Sequence, residues 1–198
     1  MSQVQPSGIH LKRITKDLQA DFLKVHCEEH ALGWCRCVAW HVPSWDGWGE
    51  RSASSNLALQ TELLEEGLFD GYLMYAGDNP IGWCQCGPLE GFPKLCSQYG
   101  ISAASGAWAI TCLSIIPARR GLGFSHMAVE AVLEDLRCRG AQTAYAFPRR
   151  GAALPSEDVW TGPEAVFVRA GFQLIKPHDT HPIYSKAFDK SDMFEARD

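Results

Sequence analysis

A nearly continuous apolar run, WAITCLSII (Trp108 to Ile116), leads through the turn PARRGLGFS into HMAVEAVLEDLRCRG, and this junction constrains the fold more than any other part of the chain. A strand with apolar side chains on both faces belongs in the middle of a covered sheet. The segment after the turn puts Met127, Ala128, Ala131, Val132 and Leu136 on one side and Glu130, Glu134 and Arg137 on the other, as an amphipathic helix does. Gly140 is placed to end that helix. Strand, glycine turn and helix in immediate succession imply a layered α/β arrangement. They also imply an anion site, because a helix N-terminus carries unpaired N–H groups and a partial positive charge. Gly121 and Gly123 let those groups converge, and Arg120 adds a forked cationic donor suited to phosphate.

The rest of the chain reads as elements around one sheet. GIHLKRIT suits a first strand, and KDLQADFLKVHCEEHA and NLALQTELLEEGLFD suit two helices. GYLMYAGDNPIGWCQCGPL is a hairpin about the turn formers GDNP. EGFPKLCSQYGISAASGA reads as a long loop, AQTAYAFP as a strand, and GPEAVFVRAGF as a helix with Pro163 near its start. FQLI and PIYSKAF close the sheet. With 198 residues the chain has the length of one domain with a full core. We expect a flexible stretch over 1–8, one domain over 9–188, and a charged tail over 189–198. The predicted class is α/β (mixed α+β), with a mostly antiparallel sheet of six to seven strands flanked by about four helices.

Composition narrows the function. The formal net charge of −5 disfavours a general nucleic-acid binder, so any anion site must be local. No apolar run approaches the roughly 18 residues of a membrane span. The N-terminus lacks the apolar core of a secretory signal, so a cytoplasmic protein with reduced cysteines is expected. WCRC (Trp34 to Cys37) and WCQC (Trp83 to Cys86) raise the question of zinc. Structural zinc usually separates its paired cysteines by two or more residues, whereas C-x-C on a strand puts both sulfurs on one face. No metal is therefore expected.

Which anion the glycine turn holds follows from spacing and context. The triphosphate loop needs four residues between its glycines and a following Gly-Lys-Ser/Thr, which RRGLGFS lacks. The dinucleotide fingerprint needs a glycine at 126, where His126 stands, and sits after the first strand of its unit. The arrangement strand, P-x-R-R-G-x-G-x-S, long helix resembles the acetyl-CoA-binding motif of the GNAT superfamily of N-acetyltransferases. Arg120, Gly123 and Ser125 take the positions of that family's Gln/Arg-x-x-Gly-x-Gly/Ala core. The resemblance runs from about Ile9 to Phe188 in element order. PIGWC looks like the family's third strand, and AVFVRAGF like its YxKxGF ending.

The resemblance implies acetyl-CoA as co-substrate and transfer of its acetyl group to an amine through a tetrahedral intermediate. The pyrophosphate would sit on Arg119, Arg120, Gly121, Leu122, Gly123, Phe124 and Ser125. The pantetheine arm would follow Leu113, Ser114 and Ile115, where the central strand and the next splay apart. The Leu113 N–H would face the acyl carbonyl, and Phe167 would lie along the cofactor. Phe167 also stands where many members carry a tyrosine that protonates the leaving thiolate, which a phenylalanine cannot do. Tyr145 and Tyr184 are the substitutes, and Glu29, among several carboxylates, is the candidate base.

The acceptor, a small-molecule or peptide amine, would bind between residues 34–51, 90–107 and 149–162. The four tryptophans of the first segment read mainly as packing, with an aromatic frame for a cation as the alternative. A homodimer is among the expected states. The rival functions are an acyl-CoA-binding module that does not turn over and a cysteine-rich metal-binding protein.

Overall fold

The computed structural model describes residues 8–26, 33–152 and 154–188, the side chains of 156 and 157 excepted. Seven strands form one sheet in the order β1-β2-β3-β4-β5-β7-β6. They are β1 (Ile9–Arg13), β2 (Gly71–Ala76), β3 (Asn79–Pro88), β4 (Ala107–Ile115), β5 (Thr143–Ala146), β6 (Gln173–Lys176) and β7 (Ile183–Ala187). Every neighbouring pair is antiparallel except β4 and β5, which run parallel. The helices are α1 (Gln19–Val25), α2 (Ala53–Glu65), α3 (Pro93–Tyr99), α4 (Phe124–Cys138) and α5 (Glu164–Arg169).

The apolar run of β4 behaves as a central strand should: Ala109 and Ile110 are completely buried, and only Ser114 is more than marginally exposed. On one face, Val129, Val132 and Leu136 of α4 pack against Ile110, Leu113 and Ile115 of β4 and Met74 and Cys84 of the hairpin. On the other, Phe22 and Val25 of α1 meet Trp83, Phe69 and Leu73. The Phe69 and Trp83 rings stack at 5.6 Å, and Phe22 meets Trp83 edge-on at 4.9 Å. A third cluster around Leu89, Leu95 and Phe147 seals the end of the sheet where β4 begins.

Two expectations from sequence need correction. The stretch 90–107 contains α3, because Leu95 and Tyr99 are anchored by tertiary packing that periodicity over so few residues does not show. The second helix starts three residues before Asn56, at Ala53, because Ser52 caps it: its side chain accepts from the Ser55 N–H at 3.1 Å while the Ser55 hydroxyl accepts from the Ser52 N–H. The expected N-terminal stretch lies outside the described residues except Gly8, whose carbonyl accepts from Gly77 N–H at 2.9 Å. The tail over 189–198 and Glu29 also lie outside them.

The feature that positions the site is where β4 and β5 stop pairing. Their parallel ladder joins Ala107–Ile110 to Thr143–Ala146 and goes no further. From Cys112 onward, the β5 side of β4 is open to other partners.

Candidate functional site

β4 ends at Ile115, and Pro117–Arg119 makes one turn of 3-10 helix before the glycines. Gly121 and Gly123 adopt φ of +74° and +84°. A Cβ at either would meet no atom within 4 Å, so backbone conformation alone favours glycine there. Gly123 is the N-cap of α4, and its carbonyl accepts from both the His126 and Met127 N–H groups. Among the described residues, none gives a backbone partner to the N–H groups of Gly121 to Ser125. Five amides therefore stand unpaired at the positive end of a 15-residue helix. The Arg120 Nε donates to Ile115 O at 2.9 Å, which ties the loop to the end of β4.

These residues wall a groove of about 960 Å³. Leu113, Ser114 and Ile115 line it, as do Arg119, Arg120, Gly121, Gly123, Phe124 and Ser125. Leu122 does not; its side chain is 59% exposed. His126 lines the groove with Nδ1 buried and unpartnered and Nε2 3.3 Å from Glu130.

Phe167, expected along the cofactor, and the two tyrosines expected to donate a proton lie away from the groove. Phe167 is fully buried under Gly162, edge-on to Phe172, and is a core residue that does not line the groove. The Tyr184 hydroxyl donates to Glu164 and accepts from Arg150, so it is committed to a structural network away from the groove. Burial and then the Glu164 bond raise its pKa. Tyr145 packs against the third cluster and does not line the groove either. Strand order alone could not show this for the two tyrosines, which share a sheet with the site while neither side chain lines the groove.

Leu113 corrects a second expectation. Its N–H, expected to be free for the acyl group, donates to Trp160 O at 2.9 Å. The 149–162 segment thus occupies the splay at one point. Strand alternation turns the Ile115 N–H to the same open side.

Of the four tryptophans of the first segment, Trp40 is buried, while Trp34, Trp45 and Trp48 line the groove and Trp45 is exposed; the cluster takes a cation from its own chain. The Lys94 ammonium lies 3.4 Å from the Trp45 ring centroid and within 6 Å of those of Trp40 and Trp48. It also donates to Ala39 O. Burial pulls its pKa down to about 8. Packing thus describes Trp40, and the aromatic frame formed with Trp45 and Trp48 is filled by Lys94 of the same chain.

One of the two C-x-C pairs follows its spacing and the other does not. Cys84 and Cys86 are both in the core under α4, on one face as a strand requires. Cys35 ends a 3-10 turn, and Arg36 and Cys37 follow in the left-handed region (φ 49° and 56°), so that pair is not extended. Cys37 instead meets two residues that sequence reading did not single out, His26 and Cys112.

Comparison with known proteins settles the family. The model of the acetyltransferase (GNAT) family matches residues 34–154. The chain belongs to that family. Its GNAT fold extends beyond the matched span. A GNAT acetyltransferase from Desulfovibrio desulfuricans superposes with a TM-score of 0.57 at 18% identity, covering 90% of this chain and 98% of that one. The PaiA N-acetyltransferase of Thermoplasma acidophilum, solved with coenzyme A, gives 0.55 at 11% identity, covering 91% and 99%. The aminoglycoside acetyltransferase AAC(6')-Ib, also solved with coenzyme A, gives 0.59 at 15% identity, covering 96% and 99%. Among curated proteins, none matches this chain. At such identities the shared property is the GNAT fold.

Proposed function

We infer that this GNAT domain transfers an acetyl group from acetyl-CoA to an amine. The observation that carries this reading is the row of amides from Gly121 to Ser125, without backbone partners among the described residues, at the N-terminus of α4, where Gly121, Gly123, Phe124 and Ser125 wall the groove along β4. Such a row is complementary to a pyrophosphate. The solved relatives held with coenzyme A or acetyl-CoA support the same co-substrate.

The chemistry follows from the thioester. A neutral amine attacks the acyl carbonyl, the oxygen gains charge in the tetrahedral intermediate, and the thiolate leaves with a proton. The pyrophosphate on the α4 amides and the pantetheine along Leu113 to Ile115 would hold the acyl carbon beside Cys112 and Leu113. Held there, it meets the amine as an effectively intramolecular reactant. A small-molecule or peptide amine would enter between the tryptophan segment and 149–162, and the enzyme would act alone or as a homodimer.

A second reading, a module that binds acyl-CoA without turnover, draws on one observation. The Leu113 N–H is occupied by Trp160, and among the described residues no tyrosine lines the groove. Thermal shift with acetyl-CoA and CoA, followed by thiol release across a panel of amines, separates the two. Stabilisation with amine-dependent thiol release is expected of the enzyme. Stabilisation without release from any amine favours the module, and no stabilisation by either species overturns both.

A further inference from the structure

We propose that His26, Cys37 and Cys112 form a Cys2His site for one zinc-class divalent cation, with its fourth coordination position open to the groove. The three side chains come from the end of α1, the turn after Cys35, and the middle of β4. All are buried, and their donor atoms lie within 4.8 Å of one another. Cys37 Sγ is 3.4 Å from Cys112 Sγ and 3.2 Å from His26 Nε2. Tetrahedral coordination at ordinary zinc distances needs roughly 3.7 Å between sulfurs and about 3.6 Å between sulfur and nitrogen. A few tenths of an ångström of side-chain movement reaches both.

The surroundings hold these donors as a metal site requires. His26 Nδ1 lies 3.1 Å from Phe22 O, a carbonyl that can only accept, so the proton is on Nδ1 and Nε2 offers its lone pair to the cluster. The buried Arg36 donates to His26 O and fastens the turn to the end of α1. Buried Gln85 donates to Cys37 O at 2.8 Å and itself accepts from Thr111 at 3.0 Å. Arg36 and Cys37 sit in the left-handed region, a conformation non-glycine residues hold only when their surroundings impose it. That conformation carries Cys37 toward Cys112, whereas regular C-x-C geometry would have paired it with Cys35.

Donor chemistry selects the ion. Two thiolates and one imidazole suit zinc and exclude magnesium or calcium, which take oxygen ligands. Two thiolates also neutralise a divalent charge, which a buried site favours. All three residues line the groove, so a water or an acceptor group can take the fourth position. Neither the CoA loop nor acyl transfer enters this argument, so the site stands or falls apart from the acetyltransferase reading.

The test takes the full-length protein, reduced and stripped with a chelator, and titrates it with cobalt(II) and then zinc(II). One cobalt per chain should bind with a sulfur-to-metal charge-transfer band and the intense visible absorption of a tetrahedral centre, and one zinc should displace it. Cys37→Ser, Cys112→Ser and His26→Gln should each weaken zinc by at least about tenfold. Cys138→Ser, at the exposed end of α4, should bind as wild type. A measurement on the wild type guards against variants that do not fold: zinc should shield Cys37 and Cys112 from alkylation, as peptide mass spectrometry reads it. The proposal is overturned if reduced wild type shows no charge-transfer band, if both cysteine variants bind zinc unchanged, or if zinc leaves both thiols as reactive as before. Binding of copper(I) with no uptake of zinc also overturns it.

Discussion

The Leu113 N–H, at the point where β4 leaves β5, donates to the carbonyl of Trp160 at 2.9 Å. Trp160 is in turn stacked on Trp40 at 5.9 Å, so this bond ties the 149–162 segment to the splay and to the tryptophan cluster. A pantetheine arm running along β4 must displace the carbonyl. Hydrogen exchange in residues 158–162 should therefore rise when acetyl-CoA saturates the protein. Saturation with unchanged exchange there would show that the arm takes another path.

Gly123→Val tests the loop. At φ +84° a β-branched residue is strained by about 1–2 kcal/mol, yet nothing lies within 4 Å of the added Cβ. The fold should survive with a slightly lower melting temperature, and affinity for CoA should drop at least about tenfold as the amides turn away. Calorimetry showing wild-type affinity would move the pyrophosphate elsewhere.

Asp70 anchors the far end of α4. Arg13 binds both its carboxylate oxygens, at 2.9 and 2.8 Å, and Arg139 reaches one at 2.5 Å while covering Trp108. Burial opposes the charge on Asp70, and the two arginines more than offset it, so its pKa is lowered. Asp70→Asn should cost about 2 kcal/mol, less than a fully buried pair because Arg13 is half exposed. Calorimetric melting should fall by roughly 4–8 °C at this chain length.

His41 makes stability depend on acid. Burial, and then the charge of Lys94, lower its pKa to about 4. Between about 4 and the usual 6.5 the unfolded chain binds a proton that the folded one does not, so stability rises with pH across that window. The contribution is complete above about 6.5 and is lost as pH falls through about 4. His41→Phe should remove up to about 3 kcal/mol of that pH dependence, read by denaturant melts at pH 4 and 7.

The parts legible in sequence were those whose signals are local. The run of β4 announced a covered strand, GDNP announced the hairpin, and Gly121 and Gly123 announced a turn with exposed amides. α3 was not legible, because seven residues are too few for a period and its burial depends on the third cluster. Nor were the facing directions of Tyr145, Tyr184 and Phe167, which depend on strand register and on the packing of α5.

The sequence by itself determined the order of the seven strands, the α/β class and the glycine turn before α4, since each rests on neighbours within a few residues. Only the tertiary structure decided that Lys94 fills the tryptophan cluster, that Trp160 occupies the splay, and that His26, Cys37 and Cys112 converge. Cys37 and Cys112 stand 75 positions apart, and only the packing of α1 and the following turn on β4 brings them together.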